Sequence, residues 1–427
     1  MTGVARREVD VMVVGAGPSG LSAATWLRRL GVERVEVIDR EEQVGGIPRH
    51  SFHTGFGIRD LHRVLSGPAY ARHHGELARR AGARLRTGVA ATDWAGPLTL
   101  RTTSRDGIEE IAARAVVLAT GARERPRTAR LVAGARPAGV YTTGELQQSV
   151  YLYGQHIGER AVVVGAEHVS YSAVMTLHHA KVRVAAMVTD QPRHQSFAAF
   201  DAAARLRYRF PLIAGHQVAE ILGNNRVSGV RLRGPDGGER TVHCDTIVFT
   251  GDWVPDHELS RLRGLQIDPG SASPSVDTAL RTSATGVFAA GNLIHPVQTA
   301  DIAALSGRAV AASVSRYLAG DAPDPGHIAV VAGAPLLWAS PHRVDAAVPP
   351  PLRRFVLWSG AFVPRPVITI SQDGRELWRR RLRRTLVPNQ PYRLPADWLS
   401  SVHASAGPIR IDIAGSDLVA NGGGDRE

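Results

Sequence analysis

A chain of 427 residues, 44% hydrophobic and 21% charged, has material for more than one core, and its 44 glycines and 26 prolines form no collagen-like or low-complexity run. The formal charge of +12 is dispersed and carried almost wholly by arginine, with Lys181 the one lysine and no nucleic-acid signature beside the dense run Arg379–Arg384, so nucleic-acid binding is not expected. Cys244 stands alone, which excludes an intrachain redox disulfide; no metal site is expected, and with neither a secretory leader nor an apolar run long enough to span a bilayer, a cytoplasmic protein is the expectation.

The apolar run Asp10–Val14 reads as a strand, Gly15–Gly20 as a tight turn, and the spacing of Leu21, Ala24, Leu27 and Leu30 as a helix closed by Gly31. Val35–Asp39 then gives the second parallel strand of a βαβ unit. In such a unit Gly15 permits the turn, Gly17 lets a diphosphate approach the backbone, and Gly20 allows close helix packing. Pro18 and Ser19 open the helix, whose N-terminus stabilises the anion. Asp39, nineteen residues beyond Gly20, is placed to accept hydrogen bonds from a ribose.

Strand-rich segments at 84–88, 98–102 and 110–113 lead back to an apolar strand at 115–121. The same plan then repeats. Ala161–Val164 enters a turn at Gly165, a helix follows from about Val169 to Ala180, a strand from Val182 to Val188, and three more strands (215–221, 227–232, 240–243) return to 247–251. The repeated turn, Gly165-Ala166-Glu167-His168-Val169-Ser170, keeps only the first glycine. A glutamate at the second position intrudes where the diphosphate would lie, so NAD(P) binding there is disfavoured, although Asp190 falls near the place of a ribose-binding acid.

A strand at 286–292 and a helix at 300–318 suggest a return to the first unit. Pro323, Pro325 and Gly326 mark a linker, and alternating stretches at 366–371 and 409–413 a small β-rich appendage. The expected fold is therefore α/β: two Rossmann-like dinucleotide-binding domains, the second inserted in the first, plus a small β-rich C-terminal domain. The expected boundaries are 1–150 with 256–325 for the first, 151–255 for the second, 326–415 for the appendage and 416–427 for a disordered tail.

Together, Gly15–Gly20, Asp39, Gly45-Gly46, Ala119–Ala122 and Gly286–Gly291 resemble the pyridine nucleotide-disulfide oxidoreductase superfamily of flavoproteins over about residues 8 to 318. Gly45–Pro48, His53–Gly57 and Gly121–Pro126 are similar to a narrower branch, the FAD-dependent subunits of opine oxidase, hydrogen cyanide synthase and anaerobic glycerol-3-phosphate dehydrogenase-associated proteins. The resemblance implies FAD as cofactor, held by Gly15, Gly17, Gly20 and Asp39 at its ADP half. It also implies that Gly46, Thr120 and Gly121 line the cofactor and that Gly291 and Asn292 lie at its flavin end, Asn292 standing where relatives carry an aspartate.

Without a cysteine pair, dithiol chemistry is excluded and direct hydride transfer to or from the flavin remains. Candidate bases are His50, His53, Tyr171 and His295, each weighed against a structural role. Arg123 and Arg125 are candidates for a substrate carboxylate, against a solvated loop. The expected activity is oxidation of a small amine, amino-acid derivative or hydroxy acid, with electrons passing to a partner subunit or another acceptor. The alternatives are an NAD(P)H-dependent flavin reductase and a non-catalytic flavin-binding subunit of a larger complex.

Overall fold

The computed structural model describes residues 4–296, 298–321 and 327–414. The expected linker around Pro323 to Gly326 and the expected tail at 416–427 lie outside the described residues. The first unit is built on β1 (Ala5–Val14), α1 (Pro18–Arg29), β2 (Val35–Asp39) and β3 (Gly107–Leu118). Strand β1 lies between β2 and β3 with parallel register on both sides, Val14 facing Ile38 and Leu118. Flanked by strands and covered by helices, Val11, Met12 and Val13 are fully buried, which explains the near-continuous apolar run. Antiparallel strands Ala90–Gly96 and Thr99–Ser104 extend this seven-stranded sheet beyond β3.

The second sheet contains Val140–Thr142 and, after α2 (Thr143–Tyr151), β4 (Arg160–Val164), α3 (His168–His179), β5 (Arg183–Val188) and β6 (Thr246–Phe249). Its strands are all parallel. Val140–Thr142 already pairs with β6, ahead of the expected boundary at 150. Helix α2 starts there because Thr142 and Glu145 form a reciprocal cap, the Thr142 amide donating to Glu145 at 2.7 Å.

After the second unit the chain returns to the first sheet: β7 (Val287–Ala289) pairs with β3 in parallel. Helix α4 (Ala300–Leu318) then packs along α1, so closely that a Cβ on Gly307 would stand 2.0 Å from the carbonyl oxygen of Ser19. The C-terminal part is β-rich, a five-stranded sheet and a three-stranded one, the latter holding Leu336–Ser340, β8 (Arg354–Ser359) and β9 (Tyr392–Pro395) around a core of its own. The basic run that stood out in the sequence is largely the exposed strand Arg375–Arg381. Among the described residues no helix is long and apolar enough to cross a membrane, and no cluster of side chains could hold a metal.

Candidate functional site

The turn between β1 and α1 is closed by backbone alone. Gly15 has φ +104°, and a Cβ there would lie 2.4 Å from the carbonyl oxygen of Ala119. A Cβ on Gly20 would meet the Gly15 carbonyl at 1.8 Å, so helix and strand touch at this point. Gly17 is different, because a Cβ there would meet nothing within 4 Å. Open space therefore adjoins the N-terminus of α1, with Pro18 in its first turn and the Ser19 hydroxyl buried and unpartnered. Asp39 accepts from the Ala16 amide at 2.6 Å and from the Glu41 amide at 2.9 Å, which fixes its carboxylate at the rim of the same opening. These features fit the ADP half of FAD: free donors, no side chain in the way, and a positioned acceptor for a ribose.

Two further turns border the opening. Gly46 has φ +61° and would place a Cβ 2.9 Å from the Gly17 Cα. Gly121, at φ +81°, has open space where a Cβ would be, and the neighbouring Thr120 hydroxyl donates to the Asp256 carbonyl at 2.6 Å. Gly291 abuts Ser19, and Asn292 spends its amide on the backbone of Gln298, donating to the carbonyl and accepting from the amide, both at 3.1 Å. The side chain thus ties Asn292 to Gln298, while the Gly291 amide donates to the Ser306 hydroxyl at 3.1 Å and the Gly291 carbonyl accepts from the Ile294 amide at 3.1 Å.

The candidate bases lie in different surroundings. His50 is buried beside Gln147 of α2, and burial pushes its pKa down to about 4. His295 is buried against the C-terminal strands with the same consequence, a pKa of about 4. Both are therefore neutral imidazoles near pH 7, each with an unpartnered Nδ1. His53 is half-buried, its Nδ1 lying 2.9 Å from the Thr54 carbonyl oxygen and its ring stacking on Phe56. Tyr171 is a core residue whose hydroxyl donates to Asp201 at 2.7 Å.

The second turn superposes in hydrogen bonding on the first with a constant offset of 150 residues. Gly15 donates to Ile38 and Gly165 to Val188; Gly45 donates to Ala16 and Gln195 to Ala166. This register places Thr189, not Asp190, at the position of Asp39, and Thr189 accepts from the Gln191 amide at 3.2 Å as Asp39 does from Glu41. Asp190 is exposed one residue further on, so the acid expected there is absent from the ribose position. Glu167 occupies the position of Gly17, but its side chain folds back over its own turn and is buried. Its carboxyl oxygens come within 2.8 Å and 2.9 Å of where Cβ atoms on Gly165 and Gly251 would stand. Burial raises its pKa, with Thr250 and Ser170 hydrogen-bonding to the carboxyl. Arg130 closes the far side, donating to the carbonyls of Thr250 at 3.1 Å and Gly251 at 2.8 Å. The crevice that is open in the first unit is filled in the second by the chain's own carboxyl and guanidinium groups.

Sequence reading missed Glu124. The strand Ala122–Glu124 alternates, so Arg123 and Arg125 point outward to pair with Glu258 at 2.8 Å and Asp252 at 3.4 Å, while Glu124 points in. It accepts from the Gly144 amide at 2.9 Å, and burial lifts its pKa to about 7, aided by the nearby Glu167 and opposed by Thr143, Gly144 and Arg130. A carboxyl whose folded pKa lies above its unfolded value of 4.5 contributes stability that is complete below pH 4.5 and lost as pH rises through 7. The gap corresponds to about 3 kcal/mol. Glu124→Gln, which cannot titrate, should gain about that much on the wild-type chain between pH 4.5 and pH 8 in denaturant-unfolding free energies. A wild-type-to-variant difference that stays constant with pH would contradict the assignment.

The family model for pyridine nucleotide-disulphide oxidoreductases matches residues 9–307. A bifunctional thioredoxin reductase/thioredoxin of Mycobacterium leprae (strain TN) is 30% identical over 73% of this chain and 66% of its own. An opine oxidase subunit of Agrobacterium tumefaciens (strain Ach5) is 24% identical over 71% of this chain, which spans 64% of that protein. Among solved structures, T. acidophilum thioredoxin reductase aligns with a TM-score of 0.62 at 24% identity, over 72% of this chain and 98% of that one, a likeness of fold. With the matched region running from β1 into α4 and the first glycine turn shaped for the cofactor, the chain belongs to the pyridine nucleotide-disulphide oxidoreductase family and is an FAD-dependent oxidoreductase.

Proposed function

We propose that this chain is a dehydrogenase that removes a hydride from a small amine, amino-acid derivative or hydroxy acid and delivers the electrons to a partner subunit or another acceptor. FAD, when bound, supplies the two-electron acceptor. The chain's own residues bind and orient it: Gly15, Gly17, Pro18, Ser19, Gly20 and Asp39 at the ADP half, Gly46, Thr120, Gly121, Gly291 and Asn292 toward the flavin. His50, His53 and His295 are the candidate bases; burial keeps His50 and His295 neutral near pH 7 and at the same time lowers the proton affinity of each.

The observation that carries this reading is the Glu167 side chain folded into the second dinucleotide crevice. A family member that took electrons from NAD(P)H would need that crevice for a diphosphate. With one cysteine in 427 residues, a disulfide relay within the chain is also unavailable. The similarity to a protein named as an opine oxidase subunit supports substrate oxidation with a partner.

NAD(P)H-dependent flavin reduction is the second reading, and the relative named for thioredoxin reductase activity supports it at least as well as the opine oxidase likeness supports the first. A non-catalytic flavin-binding subunit is the third. The test is anaerobic reduction of the purified flavoprotein by a panel of amino acids, opines, amines and hydroxy acids, followed by flavin absorbance. At least one compound is expected to bleach the oxidised flavin within a turnover of seconds or less. Failure of the whole panel, with the flavin reducible by dithionite, would leave only the other two readings.

A further inference from the structure

Where the C-terminal strands meet the segment before α4, the structure gathers basic side chains and unpartnered polar groups. Arg393 of β9, half-buried, donates to the Gln298 side-chain oxygen at 3.3 Å. The Gln298 amide nitrogen is left buried without a partner, as are Nδ1 of His295 and the hydroxyl of Ser340, and all three residues are more than nine-tenths buried. His295, Ser340, Arg354 and Arg393 line one cavity of about 30 Å³. Neither arginine forms an ion pair with a carboxylate among the described residues. Arg393 is opposed first by burial and then by the like charges of Arg59, Arg384 and Arg354, with Asp301 acting the other way. Asp301 itself is taken up by the amides of Gly57 at 3.1 Å and Arg59 at 3.0 Å.

A half-buried guanidinium without a counter-charge, Arg393, beside buried unpartnered polar groups is costly unless an anion completes it. The cavity has room for about two waters, which matches the two oxygens of a carboxylate better than a tetrahedral phosphate, so the remainder of the ligand must lie outside it. Its position is also informative. Gly291 lies against Ser19 of the first dinucleotide turn, and Ile294 and His295, just after it in the chain, line this cavity. We infer that the C-terminal β-rich part completes the substrate site, with Arg393 and Arg354 receiving the carboxylate of an anionic substrate beside His295 and Ser340. This rests on the reading of the chain as a substrate dehydrogenase, and it narrows that reading to acids.

The test is calorimetric titration of the full-length flavoprotein with sodium propionate and, separately, inorganic phosphate at constant ionic strength. Propionate should bind saturably. Arg393→Gln should weaken it on the order of tenfold or more, as expected for loss of a charge-assisted contact, and Arg393→Lys should retain part of the affinity. Arg354→Gln, at an exposed position, provides the same test should Arg393→Gln fail to fold. No saturable propionate binding, variants within about twofold of wild type, or tighter binding of phosphate than propionate would overturn the inference. The two readings fail separately. Arginine-dependent propionate binding with no compound able to reduce the flavin would sink the dehydrogenase and spare the anion site; flavin reduction by an amine that carries no carboxylate, unaffected by Arg393→Gln, would do the reverse.

Discussion

Gly17→Glu should give folded protein without flavin. In the second turn a glutamate at the matching position is accommodated within the crevice because Thr250 and Ser170 supply hydroxyl groups to its carboxyl. The first turn has Ala119 and Gly20 at those two places and offers no such donors. A carboxylate introduced at residue 17 would therefore stand unpartnered in the open space of the first crevice, where it meets the diphosphate. Two like charges within about 4 Å repel by several kcal/mol when partly desolvated, enough to reduce affinity by on the order of a thousandfold. The expected result is colourless protein with unchanged far-ultraviolet circular dichroism, and added FAD at micromolar concentration should not restore the colour. Protein that purifies with a full complement of flavin would show that the diphosphate lies elsewhere.

The parts of this molecule that were legible in the sequence are those whose constraint is local. A strand, three glycines and an acid within residues 10–39 define the first turn: Gly15 and Gly20 answer close approaches of backbone, and Gly17 leaves space open. The return of Val287–Ala289 to the first sheet was legible as well, because a short apolar strand ending in glycine has few places to pair. Counting residues went astray at Asp190. The two turns keep one offset of 150 residues, so Asp190 falls one place beyond the counterpart of Asp39, and at a strand end a displacement of one residue points a side chain to the other face, so an acid one place late is an acid out of reach. The same alternation hid Glu124 between two arginines that looked more promising.

Other features depend on contacts that no local pattern announces. Arg59, Arg354, Arg384 and Arg393 are separated by up to 334 residues along the chain and become one electrostatic neighbourhood only when the C-terminal strands dock. Nothing in the sequence around Asn292 indicates that its amide is consumed by Gln298 six residues on. The histidines illustrate the same limit: His50 and His295 are neutral because they are buried, and burial is a property of the fold.

Substituting Glu167 with glycine should not by itself turn the chain into a pyridine-nucleotide enzyme. The substitution removes the carboxyl that fills the crevice, but Thr189 still stands in the ribose position and Arg130 still spans the Thr250 and Gly251 carbonyls. Ser170 also keeps its hydroxyl 2.7 Å from that of Thr250, bulk at the contact that Gly20 makes with backbone in the first turn. Loss of one obstacle among several recovers little affinity when the remaining ones act on the same phosphates and sugar.

The most direct test is to mix the oxidised flavoprotein anaerobically with excess NADPH, and then NADH, and to follow the flavin absorbance in a stopped-flow instrument. A crevice filled by Glu167 and Arg130 predicts that the flavin stays oxidised over minutes with either nucleotide. Bleaching on the timescale of a turnover, roughly a second or faster, would contradict it and return the chain to its reductase relatives.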